Sequence, residues 1–395
     1  MKKIKIDLES IFLLFLLIPF LKFPDYIVGT SINNLFDIYK MLSSLILLIL
    51  TFKKGKISQL TICFIVFEFL LLFSTLINGT TGKYWTQITQ MLSVIGIFLY
   101  CDYFIPKNPE KFLSVVSKYI CFIAFLSSIT MFMYYPHGMY IDFRYDRNYY
   151  FFGLDNIAFF TFYIGLIMLI VHSKYKYGKV NMKTYLFILF MIISYVYVNS
   201  TTAYCALIAL FLGTILIEKK VLKVSYKFSV ISMVLFCLSI CLFGMQNYFG
   251  NFLQNVLGKS LTLTGRTLIW ERSIDYIIEQ PVFGYGLEFG STMITKVGFN
   301  HIHNIFIENL YKGGIVLTFV YFFSLFKIGN KVKEHKKTLI YSLFSLFLFI
   351  FLFICQFDYY NDIYICFMIY PLLYYMEKFV EGGVKNENFS NNTSV

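Results

Sequence analysis

The sequence contains few charged residues. Asp, Glu, Lys and Arg make up 14% of its 395 residues, whereas hydrophobic residues make up 58%. Soluble domains contain about a quarter charged and just under half apolar residues, so this composition excludes a soluble enzyme. Apolar runs of about twenty residues recur along the whole chain, and each is long enough to cross a hydrocarbon core of roughly 30 Å. The chain is therefore predicted to be an integral membrane protein.

Cysteine is absent from the polar segments between these runs. All eight cysteines lie in or at the ends of apolar runs, which excludes a disulfide framework in the loops. The sequence also lacks an internal repeat, a coiled coil and a nucleotide-binding signature. His301 and His303 have the spacing of a chelating pair, but no third ligand stands nearby. Neither a metal nor another cofactor is therefore predicted.

The apolar runs predict an all-α, polytopic transmembrane helix bundle of about twelve spans. We place the spans at residues 8–23, 36–52, 59–77, 87–105, 112–134, 151–171, 184–200, 202–217, 228–246, 304–327, 338–355 and 362–377. The polar residues Ser200, Thr201 and Thr202 separate the seventh span from the eighth, because residues 185–217 are too long for one crossing. No cleavage site of small residues follows the first span, which we interpret as a retained helix.

The charged residues are distributed asymmetrically. If the N-terminus is cytoplasmic and the spans alternate, 23 of the 34 basic residues, all of them lysines, lie in cytoplasmic loops or the C-terminal tail. Because this bias follows the positive-inside rule, both termini are predicted to be cytoplasmic. It also accounts for the net charge of +12 without a nucleic acid partner.

Arginine is the rarest charged residue, and all of it lies on the predicted outer side. The four arginines are Arg144, Arg147, Arg266 and Arg272. Guanidinium groups bind phosphate bidentately and stay charged, so arginines placed against the positive-inside preference indicate an anionic ligand at the outer leaflet. The alternative is a set of ordinary ion pairs with nearby acids, for which the sequence offers Asp142, Asp146, Glu271 and Asp275.

One segment between the spans is long. Residues 246–303 hold four basic residues, two of the five histidines and one of the two tryptophans. Loops of this kind frequently carry function. The predicted organisation is residues 1–245 for spans one to nine, 246–303 for an extracytoplasmic loop with the active site, 304–380 for spans ten to twelve, and 381–395 for a disordered cytoplasmic tail.

A short amphipathic helix is predicted within this loop. The sequence TLIWERSIDYIIEQ repeats apolar residues at helical spacing over about fourteen residues, with Thr264 as N-cap and Pro281 beyond the end. Arg266 falls in the first turn, where free N–H groups and the positive end of the helix dipole favour a phosphate. The alternative is that Arg266 pairs with an acid.

His303 is the candidate for proton transfer. A neutral imidazole can accept a proton from a sugar hydroxyl near neutral pH. The alternative is a histidine at a helix N-terminus that only bonds to backbone. Glu308 and Lys312 are predicted to pair within the bundle, because ions inside a membrane rarely stay alone. Further candidates for the pocket are His301, Asn304, Trp270 and Glu308.

Several of these motifs together resemble the O-antigen ligase and polymerase family of polysaccharide assembly. The late block consists of GRTLIW, QPVFGYG and HIHN, followed by a span that contains Gly313, Gly314 and Ile315. The earlier segment RNYYFFGLDNIA, residues 147–158, resembles a second family motif, in which an arginine, a glycine and an asparagine precede a span. The motifs cover residues 144–320, and the remainder is similar only in topology.

The resemblance implies a metal-independent glycosyltransferase at the outer face of the cytoplasmic membrane. Its donor and acceptor are expected to be undecaprenyl-pyrophosphate-linked oligosaccharides in the lipid bilayer. Arg266 and His303 are implied to be catalytic, with His303 as the base for the acceptor hydroxyl. The donor pyrophosphate, where charge develops in the transition state, is implied to bind to Arg147, Arg144, Arg266 and Arg272. A chain-length regulator and a flippase are the implied protein partners.

The resemblance leaves the type of transfer open. Ligases commonly carry a Ser-Arg pair at the start of the span that begins here near Thr202, whereas this chain reads NSTTAY. The missing arginine favours a polymerase that joins repeat units into capsular polysaccharide, exopolysaccharide or O-antigen over a ligase that transfers finished polymer. A flippase or transporter is a third alternative, but transporters show repeats and bind ligands on broken helices near the midplane.

Overall fold

The computed structural model describes residues 7–21, 31–79, 83–142, 147–198, 200–243, 265–359 and 363–380. Helices dominate this part of the chain, which confirms an all-α polytopic membrane protein. The α-helices are α1 (Leu8–Leu17), α2 (Ser31–Lys54), α3 (Gln59–Ile77), α4 (Tyr84–Phe104), α5 (Pro109–Met133), α6 (Asp155–Tyr177), α7 (Met182–Val196), α8 (Thr201–Glu218), α9 (Tyr226–Phe243), α10 (Arg266–Glu279), α11 (Gly290–Val297), α12 (Ile305–Val332), α13 (Leu339–Phe357) and α14 (Ile369–Tyr374). Short 3-10 helices cover Ile18–Phe20, Lys333–His335 and Tyr364–Met368.

A helix occupies the position of every predicted span. Among the described residues, 7 helices are long and apolar enough to cross a membrane, namely α2, α3, α5, α6, α8, α12 with its 3-10 extension, and α13. Four apolar helices are shorter: Leu8–Phe20, Met182–Val196, Tyr226–Cys241 and Tyr364–Tyr374. The separation of the seventh and eighth spans is confirmed, because α7 ends at Val196 and α8 begins at Thr201. The total of about twelve crossings stays a prediction.

The bundle is organised around its two most buried long helices, α6 and α13. Helix α5 packs along α6, α2 along α4 and α3 along α12, while α13 contacts both α8 and α9. Gly165 permits the close approach of α5 and α6, since a Cβ at this position would lie 2.6 Å from Cγ2 of Ile120. Exposed apolar side chains cover the outward faces of the peripheral helices, as expected where lipid replaces water.

A small antiparallel sheet precedes α6, which the sequence analysis did not predict. It consists of β1 (Tyr140–Asp142), β2 (Arg147–Tyr150) and β3 (Gly153–Leu154), in the order β1-β2-β3. Tyr140 pairs with Tyr149, and their rings stack with centroids 5.1 Å apart. Because β3 leads directly into α6 at Asp155, the sheet places the arginine motif at the N-terminal end of a central helix.

Helix α12 is broken at Gly314, whereas the sequence predicted one continuous span over residues 304–327. The backbone of Gly314 has φ 62° and ψ −160°, a conformation open to glycine but strained for other residues. The loop of residues 281–286 fills this break with its own backbone. The amides of Tyr285 and Gly286 donate to the carbonyls of Tyr311 and Lys312, both at 2.8 Å. The break thus divides α12 into a buried half-helix, residues 305–313, and a longer helix, residues 315–332.

Candidate active site

Helix α10 carries the candidate arginine at its first position. The helix covers Arg266–Glu279, 14 residues, and therefore confirms the predicted amphipathic helix. It buries Ile269, Trp270 and Ser273 against the bundle. The predicted N-cap was wrong by one residue. The N-cap is Gly265, whose backbone is left-handed with a φ of 87°, a conformation that favours glycine. Thr264 lies outside the described residues.

Arg266 is held at the C-terminal end of α13. Its Nε donates to the carbonyl of Phe357 at 2.6 Å, and its Nη2 donates to Oδ1 of Asp358 at 2.8 Å. Asp358 is only 4% exposed. The predicted ion-pair alternative is correct for Arg266, and the partner Asp358 is not one of the four acids that the sequence analysis considered.

Asp358 also connects the early motif to the late one. Nδ2 of Asn156, in the first turn of α6, lies 3.4 Å from Oδ1 of Asp358, the oxygen that Arg266 also contacts. Asn156 is the asparagine of the RNYYFFGLDNIA segment. The two motifs, separated by about a hundred residues of sequence, therefore meet at one carboxylate.

His303 contacts Tyr359, the residue after Asp358, and has an unusual backbone conformation. Its φ is 63°, which is uncommon for a residue with a Cβ and persists only where the surroundings fix it. Two contacts supply this constraint. The amide of Tyr359 donates to the carbonyl of His303 at 3.3 Å, and Nε1 of Trp270 donates to the carbonyl of Ile302 at 2.9 Å. His303 is 7% exposed and is therefore largely desolvated.

Asn304 caps α12, so the capping role that was the alternative for His303 belongs to its neighbour. Oδ1 of Asn304 accepts from the amides of Phe306 at 3.0 Å and Ile307 at 3.3 Å. Its Nδ2 donates to Oε1 of Gln356 at 2.7 Å. Asn304 is thus a buried structural residue that joins the start of α12 to the end of α13.

Four consecutive residues, 356–359, organise the site, and we call them the 356–359 segment. Gln356 binds Asn304, the carbonyl of Phe357 and the carboxylate of Asp358 bind Arg266, and the amide of Tyr359 binds the carbonyl of His303. The sequence analysis missed this segment. The sequence feature that could have indicated it is an aspartate directly after an apolar span, on the side of the membrane that is predicted for the long loop.

The next turn of α12 carries a buried ion pair. Nζ of Lys312 lies 2.6 Å from Oε1 of Glu308, and both side chains are buried, which confirms the predicted pair. Burial raises the pKa of the nearby Tyr359 phenol well above its usual value, and the Glu308 carboxylate contributes in the same direction. Tyr359 therefore stays protonated at neutral pH. Trp270, a candidate for the pocket, is 1% exposed and supports the backbone of Ile302.

In the described part of the chain, no contact described above places another arginine beside Arg266. Arg272 is exposed on α10, six residues beyond Arg266 and thus on another side of the helix. Arg147 lies on β2, shortly before α6, and Arg144 lies outside the described residues. Their predicted contact with a pyrophosphate stays a prediction.

The polar groups of this site favour acid–base and electrostatic chemistry. A buried imidazole can accept a proton, and a fixed guanidinium can stabilise an anion; both residues contact the 356–359 segment. In the described part of the chain, no group of three or more His, Cys, Asp and Glu side chains has the arrangement of a metal site. The prediction that the reaction needs no metal is not tested by this geometry.

Fold and site together define a polytopic α-helical membrane protein with a buried histidine and an arginine–aspartate pair at one end of its helix bundle. Residues 186–322 match the family model described as O-Antigen ligase, which confirms the resemblance to the O-antigen ligase and polymerase family. The matched region runs from α7 to α12 and contains Arg266, Trp270 and His303, whereas Asn156 and Asp358 lie outside it. No curated protein and no solved structure matches the chain. The family supports an enzyme of the glycosyltransferase-like ligase and polymerase type.

Proposed function

We propose that this protein is a glycosyltransferase that polymerises undecaprenyl-pyrophosphate-linked oligosaccharide repeat units at the outer face of the cytoplasmic membrane. The product is a capsular polysaccharide, an exopolysaccharide or an O-antigen. The observation that carries the proposal is the convergence of Arg266 and His303 on the 356–359 segment. The family match supports the reaction class, because it includes both residues.

In this reaction His303 removes the proton from the acceptor hydroxyl. The hydroxyl oxygen attacks the anomeric carbon of the donor, a new glycosidic bond forms, and the bond to undecaprenyl pyrophosphate breaks. Arg266 stabilises the negative charge that develops on the leaving pyrophosphate. Arg147, Arg144 and Arg272 are proposed to hold the same group, since guanidinium forks match phosphate oxygens. Asp358 sets the orientation of the Arg266 guanidinium and does not touch the substrate.

The lysine distribution supports the proposed orientation. Twenty-three of 34 basic residues lie on one face if the spans alternate, which favours cytoplasmic termini and an outer position for residues 246–303. On this topology the ends of α6, α10, α12 and α13 that form the site face outward. A lipid-linked donor and a lipid-linked acceptor can then meet there, with a flippase that supplies them and a chain-length regulator as proposed partners.

A polymerase is favoured over a ligase by the start of α8. This helix begins at Thr201 after Ser200, and no arginine stands at its N-terminal end. The second candidate is a ligase that transfers finished glycan to a terminal acceptor, and it is favoured by the description of the matching family model as O-Antigen ligase. The two differ in the species that accumulates when the enzyme fails.

The test is the mass profile of undecaprenyl-linked and surface glycans in cells that lack the protein. We complement these cells with the wild type, with His303→Ala, or with His335→Ala as a matched control far from the site. A polymerase leaves single repeat units on the outer-leaflet carrier, and wild type and His335→Ala restore polymer while His303→Ala does not. Long polymer that stays on the carrier identifies the ligase instead. Repeat units retained on the cytoplasmic side indicate a flippase and contradict the proposal.

A further inference from the structure

The two histidines of the HIHN motif lie against each other. The ring centroids of His301 and His303 are 4.0 Å apart, and the ring planes make an angle of 60°. Phe299 contacts both imidazoles, with centroid distances of 5.0 Å to each. His303 is buried, whereas His301 is only half-buried. His303 is therefore the more buried residue of the pair.

Two imidazoles at this distance do not titrate independently. With both rings protonated, repulsion at about 4 Å in a partly desolvated site disfavours the second proton by about a thousandfold. Such a pair binds one proton at a time over a wide range of pH. Burial penalises the charged form of His303 more than that of His301, so desolvation favours His301 as the site of the first proton.

The charges that the structure describes on the elements that pack here change little over the same pH range. Two neighbouring cations are already paired: Arg266 with Asp358, and Lys312 with Glu308. The phenol of Tyr359 stays neutral, because burial raises its pKa. Arg272, whose guanidinium approaches Gly298 from α10, is exposed and always charged. Among the described residues, His301 is thus the ionisable ring in contact with His303.

We propose that His301 is the electrostatic partner of the catalytic base: it takes up the first proton of the pair and keeps His303 neutral as the pH falls below neutrality. His301 acts through His303 and does not touch the acceptor. This inference rests on the proposed function, because it takes His303 as the base for the acceptor hydroxyl. Its consequence is glycosyl transfer that continues in a mildly acidic extracytoplasmic medium.

The test compares two substitutions with opposite electrostatic character. His301→Gln removes the ionisable ring, and His301→Lys places a lasting positive charge near His303. Purified protein in detergent is supplied with lipid-linked repeat units extracted from cells that lack the protein, and consumption of single units is followed against pH. The acid limb of kcat/KM reports the free enzyme. We expect His301→Gln to move this limb upward by about one pH unit or more, and His301→Lys to leave it at or below its wild-type position.

The outcome separates this inference from the proposed function. An identical acid limb in all three proteins overturns the role of His301, and so does a loss of activity at every pH in both variants. If His303→Gln remains active, the assignment of the base and with it the proposed function fails. Carbethoxylation by diethyl pyrocarbonate, which modifies neutral imidazole, gives a readout without turnover. Peptide mass spectrometry should show His303 modified at lower pH in the wild type than in His301→Gln.

Discussion

The contact between Arg266 and Asp358 predicts a measurable coupling energy. The side chain of Asp358 is 6% exposed and that of Arg266 19%, with 2.8 Å between Nη2 and Oδ1. Exposed ion pairs contribute about 0–1 kcal/mol, and loss of one partner from a fully buried pair costs about 3–5 kcal/mol. For this partly buried pair we expect Asp358→Asn to lower the free energy of unfolding by about 2–3 kcal/mol. At about 2 °C per kcal/mol this is a fall in Tm of about 5 °C.

A double-mutant cycle isolates the pair. Arg266→Gln leaves Asp358 as a buried carboxylate without its cation, so it should be destabilising by a similar amount. In the double variant the two neutral amides can bond to each other, and we expect it to be no less stable than either single variant. The measurement is thermal unfolding of the detergent-purified proteins, followed by size-exclusion chromatography after heating. Strict additivity of the two effects would refute an energetic pairing.

In this double-mutant cycle, the effects on the free energy of unfolding and on activity should differ. The double variant regains a neutral contact but has no guanidinium for the proposed pyrophosphate leaving group, so it should stay inactive in the polymer assay. Loss of one such charge-stabilising donor typically reduces kcat by about 10²–10³. Asp358→Asn should keep part of the activity, because the guanidinium is misoriented but present. A double variant with wild-type activity would show that Arg266 serves only the fold.

Three further predictions concern residues that hold the site in position. Gly314→Ala should prevent recovery of folded protein by size-exclusion chromatography, since a Cβ there would lie 2.2 Å from a carbonyl oxygen of the inserted loop. Gly55 also has a positive φ, of 69°, but nothing lies within 4 Å of its added Cβ, so Gly55→Ala should cost only the backbone strain and still be recovered. Trp270→Phe should lower the free energy of unfolding by about 1–3 kcal/mol through the lost indole bond and reduce polymer formation, as thermal unfolding and glycan profiles will show. Asn181→Ala removes a helix cap and should cost about 1 kcal/mol in thermal unfolding. Asn304→Ala removes a cap and also the buried bond to Gln356, so it should cost about 2–4 kcal/mol, and only this variant should impair the glycan assay.

Periodicity and charge were sufficient to predict the helices but not the contacts between their ends. The apolar runs located a helix at each predicted span, and the spacing of TLIWERSIDYIIEQ located α10. The partner of Arg266 was not predictable in the same way, because Asp358 lies 92 residues away and no periodic pattern links the two. The i, i+4 spacing of Glu308 and Lys312 predicted their contact correctly, since that pair depends only on local helix geometry.

The break in α12 illustrates the same limit. Gly313 and Gly314 stood inside an apolar run, so the sequence predicted an uninterrupted span. The left-handed backbone at Gly314 becomes stable only because residues 281–286, from a different part of the chain, supply hydrogen bonds to the open turn. The positive φ of His303 has the same origin, because its carbonyl is held by Tyr359. Both irregular positions depend on tertiary contacts that a single sequence does not encode locally.

The broken helix also bears on the choice between an enzyme and a transporter. Transporters leave the unwound turn of a broken helix open, so that its carbonyls coordinate an ion or a substrate. In α12 the carbonyls of Tyr311 and Lys312 accept from the amides of Tyr285 and Gly286, and the hydroxyl of Ser74 donates to Lys312 as well. A Cβ at Gly284 would lie 2.4 Å from the carbonyl oxygen of Tyr311, so this loop is packed tightly against the turn. The break is therefore filled by the protein itself. Its effect is to fix the half-helix that begins beside His303, which is what a preorganised catalytic site requires and an alternating-access site does not.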